Sequence, residues 1–217
     1  MSEYRTEPLV VPVCSGLLSE GERNRRVALT SFSGKLAERP TVPERDVICY
    51  ECGRHTLVPR AALSSRCTHC HAHLRMTDVV LRHGAQRLTV RTLGDVTVQA
   101  DAQLSQLSVV CRHCYLEGRG SGSFRCEGTL RVACSNRIEG SVQADTLVVE
   151  RGKELILTQG ATVNVLEVYG KVTGRIVART RVVLHRGAEL HGNCFAPTLE
   201  QAAGAKHRGE WSRSASV

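Results

Sequence analysis

Cysteine is the residue type in this 217-residue sequence whose spacing most clearly indicates chemistry, and the chain has ten of them. Four form two CxxC pairs, Cys49 with Cys52 and Cys67 with Cys70. Two sulfurs at CxxC spacing can bind one ion, and Zn²⁺ prefers four such ligands in a tetrahedron. Gly53 suits the tight turn that follows the first pair. The spacing therefore predicts one structural Zn²⁺ held by these four thiolates.

This pattern resembles a zinc ribbon, with Thr56–Pro59 as a short strand between the two pairs. The nearby His69, His71 and His73 are alternative ligands. Four cysteines already complete the tetrahedron, so we interpret the histidines as facing solvent or lying next to the cysteines without binding the ion. A closed tetrahedron leaves no position for a water molecule, which argues against zinc catalysis. We therefore expect the module to stabilise the fold or to contact another protein.

A third CxxC pair, Cys111 with Cys114, is the basis for a second metal site. Such a site would need two further ligands, for which His113, Cys126 and Cys134 are the candidates. Cys126 and Cys134, however, fall at inward positions of a repeat, where cysteine behaves as a small apolar residue. Both interpretations of the third pair stay open at this point.

The elements that position these residues follow from that repeat, which covers residues 77–209. Segments beginning at Gly140, Gly174 and Gly192 share the frame Gly-x-apolar-x-Ala-x-Thr, with a period of 17–18 residues. Apolar residues alternate within the frame, which indicates strands with one buried face. Three short strands per period make one triangular coil, and stacked coils form a parallel β-helix. A β-sandwich, the alternative, would not repeat such a frame in phase.

The composition agrees with thin coils. Aromatic residues make up only 4% of the chain, so Val, Leu, Ile, Ala and Cys must fill the core. The formal net charge is +8, but it comes mostly from dispersed arginine. A dispersed excess permits binding to nucleic acid or lipid without arguing for either.

A recurring pattern of glycines and alternating apolar residues is found within 123–209, in the segments Cys126–Val132, Arg137–Val142, Ala144–Val149 and Gly187–Gly192. In this pattern the stretch resembles the bactofilin family of polymer-forming bacterial cytoskeletal proteins. It implies a right-handed parallel β-helix that self-assembles without a nucleotide. It also implies a scaffold for client proteins in cell shape or envelope processes.

A solenoid has two ends with unpaired strand edges, which pair with another subunit unless they are capped. Leu190, Phe195 and Leu199 fall near the C-terminal end of the repeat, so they are the candidate assembly contacts. Phe195 falls at an outward position, and packing around Trp211 is its alternative. The cysteine module on the N-terminal side could cap one end, so filament and small oligomer both stay open.

We therefore predict an all-β chain in four parts. These are a flexible or loosely docked segment (1–46), a zinc ribbon (47–76), a β-helix (77–209) and a disordered tail (210–217). The sequence has no apolar run long enough for a membrane-spanning helix or a secretory signal, which predicts a cytoplasmic protein. The short apolar patch Leu9–Val13 leaves open a weak attachment to the inner face of the membrane, with packing against the folded parts as the alternative.

The functional prediction is a non-enzymatic scaffold whose partners are other copies of the chain and unidentified client proteins. Hexapeptide acyltransferases are also β-helices, but no consistent six-residue repeat and no paired carboxylate or nucleophile occurs here. A second hypothesis is a zinc-ribbon nucleic-acid-binding protein that uses the solenoid for oligomerisation. The near absence of aromatic residues for base stacking counts against nucleic acid as a partner.

Overall fold

The computed structural model describes residues 43–213 with the exception of His83. The predictions for residues 1–42, including the Leu9–Val13 patch, and for residues 214–217 lie outside the described residues. The described part folds into strands and contains no helix, which confirms the all-β fold class. It accordingly contains no helix that is long and apolar enough to cross a membrane.

Two small antiparallel hairpins form the N-terminal module. The first pairs β1 (Glu44–Ile48) with β2 (His55–Pro59), and the second pairs β3 (Ser64–Arg66) with β4 (His73–Arg75). Each hairpin turn contains one CxxC pair, and β1 begins slightly before the predicted boundary at residue 47. The buried cluster of the module consists of Cys49, Val58, Cys67, Leu74, Met76 and Leu93.

The other strands build a parallel β-solenoid of about eight turns. They are β5 (Val79–Leu81), β6 (Ala85–Gln86), β7 (Thr89–Arg91), β8 (Val96–Val98), β9 (Gln103–Cys111), β10 (Cys114–Leu116), β11 (Arg119–Cys126), β12 (Thr129–Val132), β13 (Asn136–Ile138), β14 (Val142–Val149), β15 (Glu154–Leu157), β16 (Ala161–Val168), β17 (Lys171–Thr173), β18 (Ile176–Leu184), β19 (Glu189–His191), β20 (Cys194–Phe195), β21 (Thr198–Gln201), β22 (Lys206–Arg208) and β23 (Trp211–Ser212).

Each turn of the solenoid has three sides. Side one stacks β5, β8, β10, β12, the second halves of β14, β16 and β18, and then β21. Side two stacks β7, the ends of β9 and β11, the first halves of β14, β16 and β18, and then β20 and β23. Side three stacks β6 and the starts of β9 and β11, followed by a five-stranded sheet, β13-β15-β17-β19-β22. Leu130 pairs with Leu147 and Leu147 with Leu166, offsets of 17 and 19 residues around the predicted period.

The core runs along the inside of the solenoid and is built from inward residues of alternating strands. It is filled by Val, Leu, Ile, Ala and Cys, and Phe124 is the one aromatic ring in the cluster found among the described residues. This explains the low aromatic content, because each turn is too thin for many rings. Fully buried ladders such as Leu130, Leu147 and Leu166 hold neighbouring turns together.

The N-terminal module packs against the corner between side two and side one of the first turns. Leu93, at that corner, belongs to the buried cluster of the module together with Met76. The Leu93 amide donates to the Arg75 carbonyl at 2.7 Å, and an ion pair joins Glu51 to Arg91. The module therefore contacts the flank of the solenoid.

Candidate metal centre

The two CxxC pairs lie in hairpin turns of the same shape. In the first turn the Gly53 amide donates to the Cys49 carbonyl at 2.8 Å, and Gly53 has a φ of 68°. In the second turn the His71 amide donates to the Cys67 carbonyl at 3.0 Å, and His71 has a φ of 58°. A left-handed residue just after each pair closes the turn, so the cysteine sulfurs of both hairpins can face one point.

The four sulfurs of Cys49, Cys52, Cys67 and Cys70 all lie within 4.8 Å of one another. Sγ of Cys49 is 3.6 Å from that of Cys70, and Sγ of Cys52 is 3.7 Å from that of Cys67. These separations exceed the roughly 2.05 Å of a disulfide bond. A tetrahedral ion with metal–sulfur bonds of about 2.3 Å sets its sulfurs about 3.8 Å apart. The quartet could therefore hold one metal ion with little movement of the side chains.

The electrostatics of the quartet also favour a cation. A hydrogen bond from the Thr56 hydroxyl, assisted by the backbone amides of Cys70 and His69, lowers the pKa of Cys67 to about 5. The Ala72 amide favours the Cys70 thiolate, but burial and the three neighbouring cysteine sulfurs raise the pKa of that thiol to about 12. A bound cation removes the electrostatic cost of ionising several neighbouring thiols, because it compensates their negative charge.

The histidines near the second pair do not join the quartet. His71 and His73 are exposed, and Nε2 of His69 lies 3.1 Å from the His55 carbonyl oxygen. Their positions agree with the interpretation that four cysteines complete the site.

The third CxxC pair lies inside the solenoid. Cys111 and Cys114 are fully buried, and Sγ of Cys111 is 3.6 Å from Sγ of Cys126 in the next turn. The other two candidate ligands are engaged elsewhere. Cys134 is half-buried and donates to the Gly118 carbonyl at 2.8 Å, and Nδ1 of His113 accepts from the Thr129 amide at 3.0 Å.

The candidate assembly residues have three different environments. Leu190 is fully buried in the core, so its side chain contributes nothing to an outer surface. Phe195 lies outward, in register with Val177, and the Arg175 guanidinium covers its ring at 5.1 Å. Leu199 is half-buried in the last turn of the described solenoid.

Trp211 is an end residue that falls within the predicted disordered tail (210–217), but it lies in a strand, β23. It lies on the last strand, pairs with Cys194, and keeps 41% of its surface exposed. Its indole Nε1 donates to the Ala196 carbonyl at 3.1 Å. A signal was present, because Trp211 follows Gly209 by the spacing at which Cys194 follows Gly192.

Comparison of the chain with protein-family models, curated proteins and solved structures found no match. The fold and the site therefore define a broad class of protein, a parallel β-solenoid preceded by a four-cysteine module that could hold a metal ion.

Proposed function

We propose that this chain is a bactofilin-like scaffold protein that self-assembles through the end of its solenoid and organises client proteins in cell shape or envelope processes. Its zinc ribbon is structural. Its place is the cytoplasm, where thiols stay reduced, and the nine cysteines within the described residues are all free thiols. The inner face of the membrane is the site at which such a scaffold would meet envelope factors.

The observation that carries this proposal is the open C-terminal end of the solenoid. In the described part of the chain β21, β22 and β23 each pair with one preceding strand and have no neighbour on the other side. An unpaired parallel edge presents a row of backbone donors and acceptors that a further strand can satisfy. A second copy of the chain offers strands of matching spacing.

Side chains at this end add an apolar contact. Trp211 keeps 41% of its surface exposed, Leu199 is half-buried in another edge strand of the same end, and the Arg213 guanidinium lies 5.7 Å from the indole ring. Large aromatic side chains contribute strongly to protein interfaces when a partner buries them. Trp211 therefore replaces Leu190 among the proposed assembly contacts, while Leu199 stays and Phe195 lies on the flank.

The metal proposed for the ribbon is Zn²⁺. Four thiolates at tetrahedral separations are its preferred structural ligands, and the closed set leaves no position for a substrate or water. The buried cluster of the module has only six residues, and one of them, Leu93, belongs to the solenoid, so we infer that the ion supplies part of the stability of the ribbon. Metal analysis of the purified protein should find one zinc per chain in the ribbon.

Analytical sedimentation of Trp211→Ala against Tyr115→Ala tests the assembly proposal. Tyr115 is the matched control, because it is 38% exposed but lies on side one, away from the end. We expect the wild type and Tyr115→Ala to form large species and Trp211→Ala to shift towards the monomer. Equal association of both variants, with unchanged melting temperatures, would remove Trp211 as a contact. A strictly monomeric wild type at high concentration would refute the proposal itself.

A further inference from the structure

One outward column of side chains runs along side one of the solenoid from the first described turn to the last. Its eight members lie in register from turn to turn: Val80, Thr97, Tyr115, Arg131, Val148, Glu167, Val183 and Glu200. All eight are exposed or half-buried, and Val80 and Tyr115 keep 51% and 38% of their surface exposed. Side one therefore presents an accessible row of side chains along the axis of the solenoid.

Apolar and polar side chains alternate in this column without exception. The apolar or aromatic members are Val80, Tyr115, Val148 and Val183, and the members between and after them are Thr97, Arg131, Glu167 and Glu200. Single exposed apolar residues are ordinary on a protein surface. A regular alternation is different, because a second column with the same pattern can match it position by position.

The column is complementary to itself when two copies face each other with their axes antiparallel and Val148 on the twofold axis. Counting turns from Val148 then sets Arg131 of each copy opposite Glu167 of the other, and Tyr115 opposite Val183. Faces of packed sheets lie about 10 Å apart, a spacing at which a large side chain fits opposite a small one. Twofold symmetry makes each of these off-axis contacts occur twice.

The charges of the column select this direction and this register. With the axes parallel, Arg131 would face Arg131, and Glu167 and Glu200 would each face their own copies, which is unfavourable. In the antiparallel arrangement, a shift by one turn sets charged residues against valine or tyrosine. A shift by two turns sets Arg131 against itself or Glu167 against itself. The arrangement centred on Val148 avoids all of these and places Glu200 opposite the Thr97 hydroxyl, which can donate to it.

Both members of the central ion pair are available for a partner. In the described part of the chain Glu167 has no cationic partner, and its polar contact is the Tyr169 hydroxyl at 3.5 Å. Arg131 contacts Glu150 at 2.7 Å, but 53% of its side chain is exposed. A guanidinium has five N–H donors, so Arg131 can hold Glu150 and a second carboxylate together. An open depression of about 680 Å³, lined by Arg131, Val148 and Glu167 among others, leaves room for the guanidinium of a partner.

We propose that side one is a lateral interface at which a second copy of the chain docks with its axis antiparallel, crossing at Val148. The inference rests on the proposed assembly through the solenoid ends, and it adds a second contact that joins neighbouring filaments into sheets. Filaments that run in opposite directions with the same subunit repeat keep this register along their whole length.

The facing area is small, which makes a single pair weak. The seven turns from Thr97 to Glu200 overlap over about 34 Å, and strands of three to four residues are about 12 Å wide, so each copy covers about 400 Å². Stable complexes commonly bury about 800 Å² on each partner. A row of such pairs between two filaments binds strongly, because every subunit contributes to it. Tyr115→Ala removes only an apolar part of this contact and leaves the ends intact, so that variant still forms large end-to-end species.

Charge reversal tests this interface. Arg131→Glu and Glu167→Arg each place like charges at both symmetric crossings, and the double exchange Arg131→Glu/Glu167→Arg restores opposite charges. The control is Lys171→Glu, which reverses a charge in an exposed ion pair of similar length, 2.8 Å to Glu154, on side three. Electron microscopy of the full-length, zinc-loaded proteins distinguishes sheets from single filaments. Sedimentation of the same substitutions combined with Trp211→Ala, at high concentration, measures the lateral pair where the end contact is weakened.

We expect sheets from the wild type, the control and the double exchange, and single filaments from each single reversal. In the Trp211→Ala background each single reversal should weaken the lateral pair at least about tenfold, and the double exchange should restore it. Sheets of equal width from all the variants would overturn the lateral interface while leaving the end contact in place. So would a double exchange that associates as weakly as the single reversals. If no protein forms filaments, the end contact fails, and equal pairing of all variants in sedimentation would then overturn the lateral interface separately.

Discussion

At the scale of single residues, the two cysteine knuckles differ in how they satisfy the same backbone requirement. Each has a residue with positive φ just after its CxxC pair, Gly53 in the first and His71 in the second. Glycine adopts this conformation without steric cost, whereas a residue with a Cβ atom is strained by about 1–2 kcal/mol. The second knuckle is therefore built with strain that the first avoids.

Substitution His71→Gly should relieve this strain. We expect the ribbon to gain up to about 1 kcal/mol, which tightens zinc affinity by up to about fivefold. The matched control is His73→Gly, because His73 is exposed in the same hairpin but lies in β4, where glycine weakens a strand. Competition with a zinc chelator measures both affinities. A weaker affinity in both variants would show that the second knuckle carries no such strain.

The sequence was enough to predict the four cysteine ligands but not the residues that contact them, for a physical reason. The spacing of the four cysteines sufficed to predict the quartet, because ligand number and CxxC geometry leave few alternatives. The support from Thr56 was not predictable, since it depends on how β2 of the first hairpin lies against Cys67 in the turn of the second hairpin. The same holds for Cys126 beside Cys111, which depends on the exact offset between two turns.

At the scale of elements, corners of the coil depend on glycines that the backbone of the previous turn approaches closely. A Cβ atom at Gly192, whose φ is 122°, would lie 2.3 Å from the Gly174 carbonyl oxygen. Gly209, one turn later, has the same relation to Gly192. Stacked corners therefore require glycine at a fixed period in the sequence, and this period allowed the solenoid to be predicted.

Substitution Gly192→Ala should consequently cost about 3 kcal/mol or more, because the turns must separate or the strand pairing must break. Gly187→Ala is the control, since Gly187 also has positive φ (79°) but no atom lies within 4 Å of a Cβ atom placed there. It should cost only about 1 kcal/mol. Denaturant unfolding measures both, and equal losses would contradict stacking as the cause.

The ends of the repeat were harder to predict than its middle. Alternation predicted that Cys126 and Cys134 face inward; Cys126 is buried, but Cys134 is half-buried in a bend outside the strands. Leu190 was expected at an end but is buried, because another turn follows it. The sequence pattern cannot tell the last turn from the one before it when the final strands are only two to four residues long.

At the scale of the whole molecule, the module and the solenoid occupy different places, the module on the flank of the first turns and the unpaired strand edges at the last turn. The ribbon packs on the flank of the first turns through Met76 and Leu93, while the last described turn keeps its strand edges unpaired. The fold of each part was predictable from local spacing. Their arrangement was not, because it rests on a few contacts between residues distant in sequence, such as the ion pair of Glu51 with Arg91.

Self-assembly along the solenoid axis can be tested by electron microscopy of the purified full-length, zinc-loaded protein at high concentration. About eight turns at about 4.8 Å each span about 38 Å. Assembly through the open end should give filaments or sheets with an axial repeat near this length, or near twice it where neighbouring subunits alternate in direction. Single particles of monomer size at every concentration would contradict it.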